Sequence, residues 1–563
     1  MAGRDLITSL QQDLNFTAFE LPKGELLRTF LRSRDIGAAF TEAQGHRRLL
    51  VRPLHRVREE IDGVRRKDNR QLRTHEVNRQ TVDMVLADLR ERGQVFHDGR
   101  QPYVYLTQDR EVISADLGDG GFRQLAANYG ISAKDTVYKN VLEGLDLAGL
   151  RLPTRTVVHE FSFYDVETGV AYLFHFERWV YRITKESIKR VANGTDNVYF
   201  VKKEGHQRWR YLKSVAGEEL LAPQLLIGLR VNTQHHSIAD VSHLLEAWIY
   251  SLFLPSFFAS KIIAAAIGPP GSAKTSLFQS IGRIIFGEAF QPTPLPHDPK
   301  DFDAVITNQS LVLLDNVDKG NAWLEDRLAI AATGASIQRR RYFTTNDLAA
   351  FPVRASLCLT SRTPFFRRED IADRLLLFYV ERLEPFLPLQ HIQSQILARR
   401  DELMSRVVSR LPAVLGLLQD DSSEALATTF RMADFASFAI RIAPALGISS
   451  DEMSAAMGRL TIRQRQFAAE DDWLIHLIEG WLQNKSNIGR EMATADLFAA
   501  LHEFATSSEP RLNFPSKDTQ SFGNELRGRR ETLRERFGYS ERIAGARRKL
   551  VRFDPPDDGT PPE

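Results

Sequence analysis

The chain has 563 residues, 43% of them hydrophobic and 26% charged, with a net charge of +2 at pH 7. That length exceeds one core and predicts about three to five domains of ordinary globular composition. A single cysteine, Cys358, excludes a disulfide framework and a cysteine-based zinc site and suits a reducing cytoplasm, and no apolar stretch reads as a signal peptide or a membrane span.

Residues 1 to about 115 read as basic and mainly helical. Between Arg47 and Arg79 there are eleven Lys/Arg against five Asp/Glu. Val77 to Arg92 predicts an amphipathic helix that Gly93 caps. Gln94 to Leu106, turning near Asp98-Gly99, predicts a hairpin. Helix then hairpin suits a winged-helix unit, and equally a generic helix-hairpin packed on the next domain. Residues 116–225 read as an α+β domain. It holds a helix from Gly121 to Tyr129 and strands over Val157–Asp165, Val170–Phe176, Trp179–Thr184 and Val198–Lys202. No catalytic constellation is visible there.

Residues 226–385 carry the chemistry. Ile238 to Phe253 reads as an apolar helix, and Ile262 to Ile267 as a buried strand. That strand runs into Gly268-Pro269-Pro270-Gly271-Ser272-Ala273-Lys274-Thr275, with Ser276 adjoining, and Leu277 to Phe286 follows as a helix. Strand, glycine-rich loop and helix form the context of a phosphate-binding P-loop. Glycines let backbone N–H groups point at phosphate oxygens, and the helix N-terminus adds a favourable dipole. Lys274 would reach the β- and γ-phosphates of ATP, and the Thr275 hydroxyl would ligate Mg²⁺. Ala273 replaces the usual glycine, and only local tightening is expected from it.

About forty residues on, Leu311 to Leu314 predicts a buried strand that delivers Asp315 to its end as a water-mediated Mg²⁺ ligand. Asn316 follows, where many ATPases place a catalytic Glu. An amide orients water but takes no proton, which leaves Asp318, Glu325 or Asp326 as the base. Ala332 to Phe343 and the segment around Pro352-Val353 predict two strands joined by a tip at Thr344–Ala349, with Arg339, Arg340 and Arg341 on the first strand. Ala355 to Leu359 predicts another buried strand, ending in Thr360-Ser361, where a sensor of the γ-phosphate would sit. Arg374 precedes the strand Leu375–Val380. There it reaches a neighbouring subunit's ATP or closes a local salt bridge with Asp370 or Asp373.

Residues 386–468 read as a helical subdomain, 469–553 as a basic unit and 554–563 as a disordered tail. From Arg511 to Arg552 there are twelve Lys/Arg against five acids. Thr494–Ala505 and Phe522–Phe537 predict helices, and Tyr539–Phe553 a hairpin. This plan is that of a winged-helix domain. Arg527, Arg530 and Arg534 would face a groove of DNA, and Arg547, Arg548 and Lys549 on the wing would face phosphates. A solvated charged face is the alternative.

Taken in this order, the P-loop, the Asp315-Asn316 strand, the ATGASIQRRRY hairpin and the LCLTSR and DRLLLFYV strands resemble the core of superfamily-three helicases. That branch of the AAA+ ATPases includes poxvirus-type primase-helicases and relatives from phages, plasmids and bacterial mobile elements. The resemblance spans roughly residues 110–553. It implies a multidomain α/β protein with a central AAA+ core, an α+β N-terminal region and a C-terminal winged helix. It further implies a hexameric ring, ATP hydrolysis between subunits, and a hairpin facing single- or double-stranded DNA in a pore. It would make Thr360 or Ser361 the first sensor, Arg374 the arginine finger and Arg431 a second sensor. Two departures stand out: the hairpin tip lacks the usual Lys, and the first sensor is not Asn. The expected function is an ATP-dependent DNA helicase or translocase of a mobile-element replication module. A DNA-stimulated ATPase switch or loader, and a DNA-binding protein that ATP only assembles, remain open.

Overall fold

The computed structural model describes residues 54–554, apart from 68–72, 153–154, 216–218, 319–321, 341–347, 364–367, 385–387, 421–429, 471, 509–511, 513 and 545–547. The tail, the hairpin tip at 344–347, Arg341 and Arg547, and the side chains of Arg339, Arg340 and Arg548, lie outside the described residues.

Among the described residues, the first unit begins with helices Leu54–Lys67 and Thr74–Arg92. Three antiparallel strands follow in sequential order: Gly93–His97, Pro102–Leu106 and Glu111–Ser114. Gly93 does not cap the helix in a left-handed conformation; its backbone is extended, with φ −179°, and begins the strand. A Cβ there would stand 1.7 Å from Tyr105 O, so the close approach of the neighbouring strand requires glycine. Helices Gly120–Asn128 and Thr136–Leu150 pack into the same core, where Phe122, Val141 and Leu145 join Val57, Ile61 and Val85. The boundary expected at 115 therefore falls inside a shared core.

Next comes a four-stranded antiparallel sheet of Ser162–Asp165, Val170–Phe174, Trp179–Ile183 and Ile188–Ala192. The single strand expected over 157–165 is two strands, and Val158–His159 pairs instead with Tyr199–Phe200. Glu160 sits in the break with its buried carboxylate accepting from Lys203 Nζ (2.8 Å), Ser310 N (2.9 Å) and Ser310 Oγ (2.8 Å).

The central sheet has six strands: β1 (Arg230–Val231), β2 (Ile263–Ile267), β3 (Thr293–Pro294), β4 (Leu311–Asp315), β5 (Ser356–Ser361) and β6 (Leu375–Glu381). Their spatial order is β1-β6-β2-β5-β4-β3, parallel throughout except for the antiparallel edge strand β1. Every residue of β2 is buried, as an apolar strand flanked by parallel neighbours and covered on both faces must be. Helices Arg400–Leu418, Ala433–Ile442 and Ser450–Glu470 share one continuous core with this sheet and with the four-stranded sheet. The expected boundaries at 225 and 385 thus do not divide separate cores.

A hairpin of Ser336–Arg340 and Leu348–Pro352 leaves the sheet just before β5. Its base is held by Arg100 of the first unit, which donates to Thr307 O (2.8 Å) and Pro352 O (2.9 Å).

The last unit has its own core of Leu474, Ile478, Leu497, Phe522, Leu533 and Val551. Its three short strands lie in the order Met492–Ala493, Arg548–Arg552, Ser540–Ala544. The one helix expected over 522–537 is two, Thr519–Gly528 and Arg530–Phe537. Arg529 at the break has φ −116° and ψ 17°, and its largely buried guanidinium pairs with Asp472 and Glu525. Asp472 in turn caps the helix Trp473–Leu482 by accepting from Leu474 N (2.8 Å). A buried ion pair that locks two helix ends together decides this corner, and helix periodicity does not reveal it.

Candidate active site

The carboxyl edge of the central sheet is where β2, β4 and β5 deliver polar residues to one place. After Ile267 the chain turns through residues 268–273 into the helix Lys274–Phe286. Gly268 passes so close to β6 that a Cβ would meet Val380 O at 2.1 Å. Ala273, with φ 60° and ψ 19°, occupies the left-handed region that glycine fills without strain. For an L-residue this costs roughly 1–2 kcal/mol.

Lys274 is 7% exposed. Its ammonium donates back into the loop, to Gly268 O (2.7 Å), Pro269 O (2.9 Å) and Ser272 Oγ (3.2 Å). Burial lowers its pKa, and the charges of Asp318 and Asp315 partly oppose that shift. Three donors gathered on two loop carbonyls and a hydroxyl can be handed to phosphate oxygens.

Asp315 is the hub. Its Oδ1 accepts from Thr275 Oγ1 (2.6 Å) and from Thr360 Oγ1 (2.7 Å), and its Oδ2 from Asn316 Nδ2 (3.2 Å). Thr360 also accepts from Asn316 N (3.0 Å). Asn316 has φ 54°, a left-handed conformation that asparagine tolerates better than most residues. Ser361 donates to Thr363 O (2.7 Å), and its hydroxyl also lies 3.4 Å from Asp318 Oδ1.

Sequence reading gave Arg362 no role, yet its N–H donates to Asp318 Oδ1 (2.7 Å) and its Nε pairs with Asp318 Oδ2. Burial alone would raise the Asp318 pKa. The hydrogen bonds and charge of Arg362 outweigh it, so the carboxyl is held below its ordinary value. Glu325 and Asp326, the other candidate bases, contact Arg368 instead: Arg368 N donates to Glu325 Oε2 (3.2 Å), and its guanidinium pairs with Asp326. The only signal for Arg362 in the sequence is its position, one residue past a strand that ends at a polar pair.

Thr275 Oγ1 and Asp315 Oδ1 are two hard oxygen donors at the loop's end. Among the described residues no group of three or more His, Cys, Asp or Glu side chains could hold a metal ion. Mg²⁺ takes few protein carboxylates and keeps waters or phosphates, so one hydroxyl and one carboxylate suit it.

Arg374 and Arg431 do not join this cluster. Arg374 precedes β6, at the opposite edge of the sheet from the loop, and its Nη1 donates to Asp370 O (2.7 Å) and Asp370 Oδ2 (3.0 Å). Arg431 pairs with Asp373 at 3.1 Å. Arg339 and Arg340 sit on the hairpin's first strand, opposite Ala349 and Leu348. Arg527, Arg530 and Arg534 are exposed, but on two helices rather than one. Glu541 draws on two of the basic residues, with Arg530 at 3.9 Å and Lys549 at 2.6 Å. Among the described residues no helix is long and apolar enough to cross a membrane.

Residues 227–461 match the family model for the actinomycete integrative conjugative element replication protein. No curated protein matches the chain. Among solved structures, the chain is similar to the A-form apo structure of the NrS-1 C-terminal region at 10% identity and a TM-score of 0.37, over 84% of this chain and 98% of that one. It is also similar to SCCmec type IV Cch, described as an active helicase, at 12% identity and a TM-score of 0.41, over 80% of this chain and 90% of that one. Scores this low do not establish a common overall arrangement. The family match spans the whole central sheet and every residue placed around Lys274.

Proposed function

We propose that the chain is an ATPase of mobile-element DNA replication that couples ATP hydrolysis to work on DNA. The observation that carries this reading is the convergence on Asp315 Oδ1. Hydroxyls from the loop's helix and from β5 meet the carboxylate of β4 beside an ammonium folded into a glycine-rich loop. Loop amides and Lys274 bind the β- and γ-phosphates, the ammonium exchanging loop carbonyls for phosphate oxygens. Thr275 and Asp315 would hold Mg²⁺, which supplies neutralisation of phosphate charge when bound.

Water attacks the γ-phosphorus, its bond to the ADP oxygen breaks, and the water's proton passes to a carboxylate. Asp318 is that carboxylate: it is bonded to the residue that follows β5, whereas Glu325 and Asp326 are engaged by Arg368. Asn316 positions the water and Thr360 fixes Asn316. Arg374, at the far edge of its own sheet, acts on the ATP of a neighbouring subunit in a ring. The hairpin with Arg339–Arg341 and the basic carboxy-terminal unit meet DNA phosphates. A second reading, a DNA-stimulated switch without unwinding, is favoured by the amide at 316, which slows turnover.

The test is the ATPase rate with and without single- and double-stranded DNA, with particle mass read on the same sample and a forked duplex as unwinding substrate. DNA-stimulated turnover by an assembled ring supports the proposal, and strand separation selects the helicase over the switch. Absence of any ATP turnover sinks both.

A further inference from the structure

The amino-terminal edge of the central sheet, opposite the loop, encloses a cavity of about 360 Å³ between the first unit, the four-stranded sheet and the base of the hairpin. Its volume lies within the range of roughly 300–1,000 Å³ typical of small-molecule sites. Lys261 precedes β2 and Lys274 follows it, so at about 3.3 Å per residue the strand separates the cavity from the loop by its whole length.

We propose that this cavity is a second anion site, taking a phosphate monoester with a flat apolar body, the class of a nucleoside monophosphate. Four cations, Arg100, Arg155, Lys261 and Arg354, and two carboxylates, Asp98 and Glu160, line it. Both carboxylates are already matched. Asp98 pairs with Arg354 at 3.3 Å and accepts from Arg100 N (2.8 Å) and Gln101 N (3.1 Å). Glu160 pairs with Lys203 and His206 outside the cavity and accepts from Ser310.

Lys261 and Arg155 are left without a carboxylate. Lys261 Nζ donates to Arg354 O (2.7 Å), its one acceptor among the described residues. Burial lowers its pKa to about 8, and no neighbouring carboxylate offsets that. A half-buried ammonium without a counter-ion is unfavourable, and a bound anion relieves it.

Arg155 is exposed and makes no ion pair or hydrogen bond among the described residues. It lies over Gly99, where a Cβ would meet its Nη1 at 2.7 Å. The bare left-handed glycine, φ +94°, leaves room for the guanidinium at the cavity mouth. Arg155 and Lys261 offer cationic partners to the phosphate of a monoester. Phe161, Leu252 and Phe286 line the same cavity and offer apolar surface to the body of the ligand.

The site stands apart from the loop, and so does its test. Full-length Lys274→Ala protein is dialysed against labelled AMP, with orthophosphate as competitor. We expect about one AMP per chain, displaced by orthophosphate. Adding Arg155→Ala or Lys261→Met should weaken it by about tenfold or more, as loss of a charged hydrogen bond does. No AMP binding at millimolar concentration, binding that neither addition weakens, or failure of orthophosphate to compete overturns the proposal. If Lys261→Met does not fold, exposed Arg155→Ala decides alone. Failure of the ATPase reading would appear separately, as wild-type protein that does not turn over ATP.

Discussion

The loop edge of the central sheet and the carboxy-terminal basic unit both present cations suited to phosphate, yet they hold them in opposite ways. Lys274 is buried and its donors are already aimed, so desolvation has been met in folding and water competes little for the ammonium. Arg527, Arg530 and Arg534 stand in solvent, and Glu541 is shared between Arg530 and Lys549. Buried and aimed charge favours one ligand in one pose. Exposed charge favours any polyanion and is screened by salt within about 10 Å at 0.1 M. Under the proposed function, the same residue chemistry would serve turnover in one place and grip in the other.

The comparison breaks most directly at Lys274. Lys274→Ala should lower ATP turnover by at least about 10²-fold, the scale for removing one aimed donor. Its thermal transition should stay close to the wild type's, because the lysine's acceptors are loop carbonyls that can turn to water. Full turnover by the folded variant would contradict the loop assignment.

Asp318 sharpens it. Asp318→Asn should cost roughly 10²–10⁴-fold in kcat with little change in ATP affinity, the range for a general base. Arg362 keeps the Asp318 carboxyl below its ordinary pKa, so the base form persists as pH falls. In Arg362→Ala the backbone N–H and the Ser361 hydroxyl still bond Asp318, but the guanidinium's hydrogen bond and charge are gone, so the pKa rises and the acid limb of the kcat profile moves to higher pH. A rate loss without movement of that limb would leave Arg362 a structural role only.

Glu541 tests the exposed side. Glu541→Gln releases Lys549 and Arg530, so DNA should bind more tightly. The salt slope should steepen by up to about 1.8, since each phosphate contact adds about 0.9. Fluorescence anisotropy at several salt concentrations reads this, and an unchanged slope would remove the two residues from the DNA face. The smallest effect is expected at Ala273. Ala273→Gly should raise stability by about 0.5–1 kcal/mol in denaturant unfolding, strain relief being partly offset by a more flexible unfolded chain. Turnover should stay within about twofold.

Apolar runs were the legible part of this chain. The apolar runs 262–267, 311–314, 355–359 and 375–380 match buried strands of one sheet to within two residues at either end, because a strand covered on both faces needs unbroken apolar sequence. Short polar strands were not legible. Ile188–Ala192 is half exposed, and Glu111–Ser114 follows a turn with no glycine. Long-range charge pairs were invisible too. Asp318 and Arg362 are 44 residues apart, and Asp472 and Arg529 are 57 apart, yet the first pair shapes the candidate base and the second breaks a helix. Nothing in local periodicity marks such partners.

Arg100 has a mechanical consequence. Its two terminal nitrogens bond main-chain carbonyls on separate segments, Thr307 at the end of the helix before β4 and Pro352 at the end of the hairpin. Ile306 O, beside Thr307, also accepts from Arg354 N and Ala355 N, just past that hairpin. The first unit therefore acts as a cross-brace. A pull on the hairpin is carried as tension into the helix that leads to β4, and so toward Asp315 at that strand's far end. Without Arg100, the two bonds to Ile306 O alone would tie the foot of the hairpin to that helix.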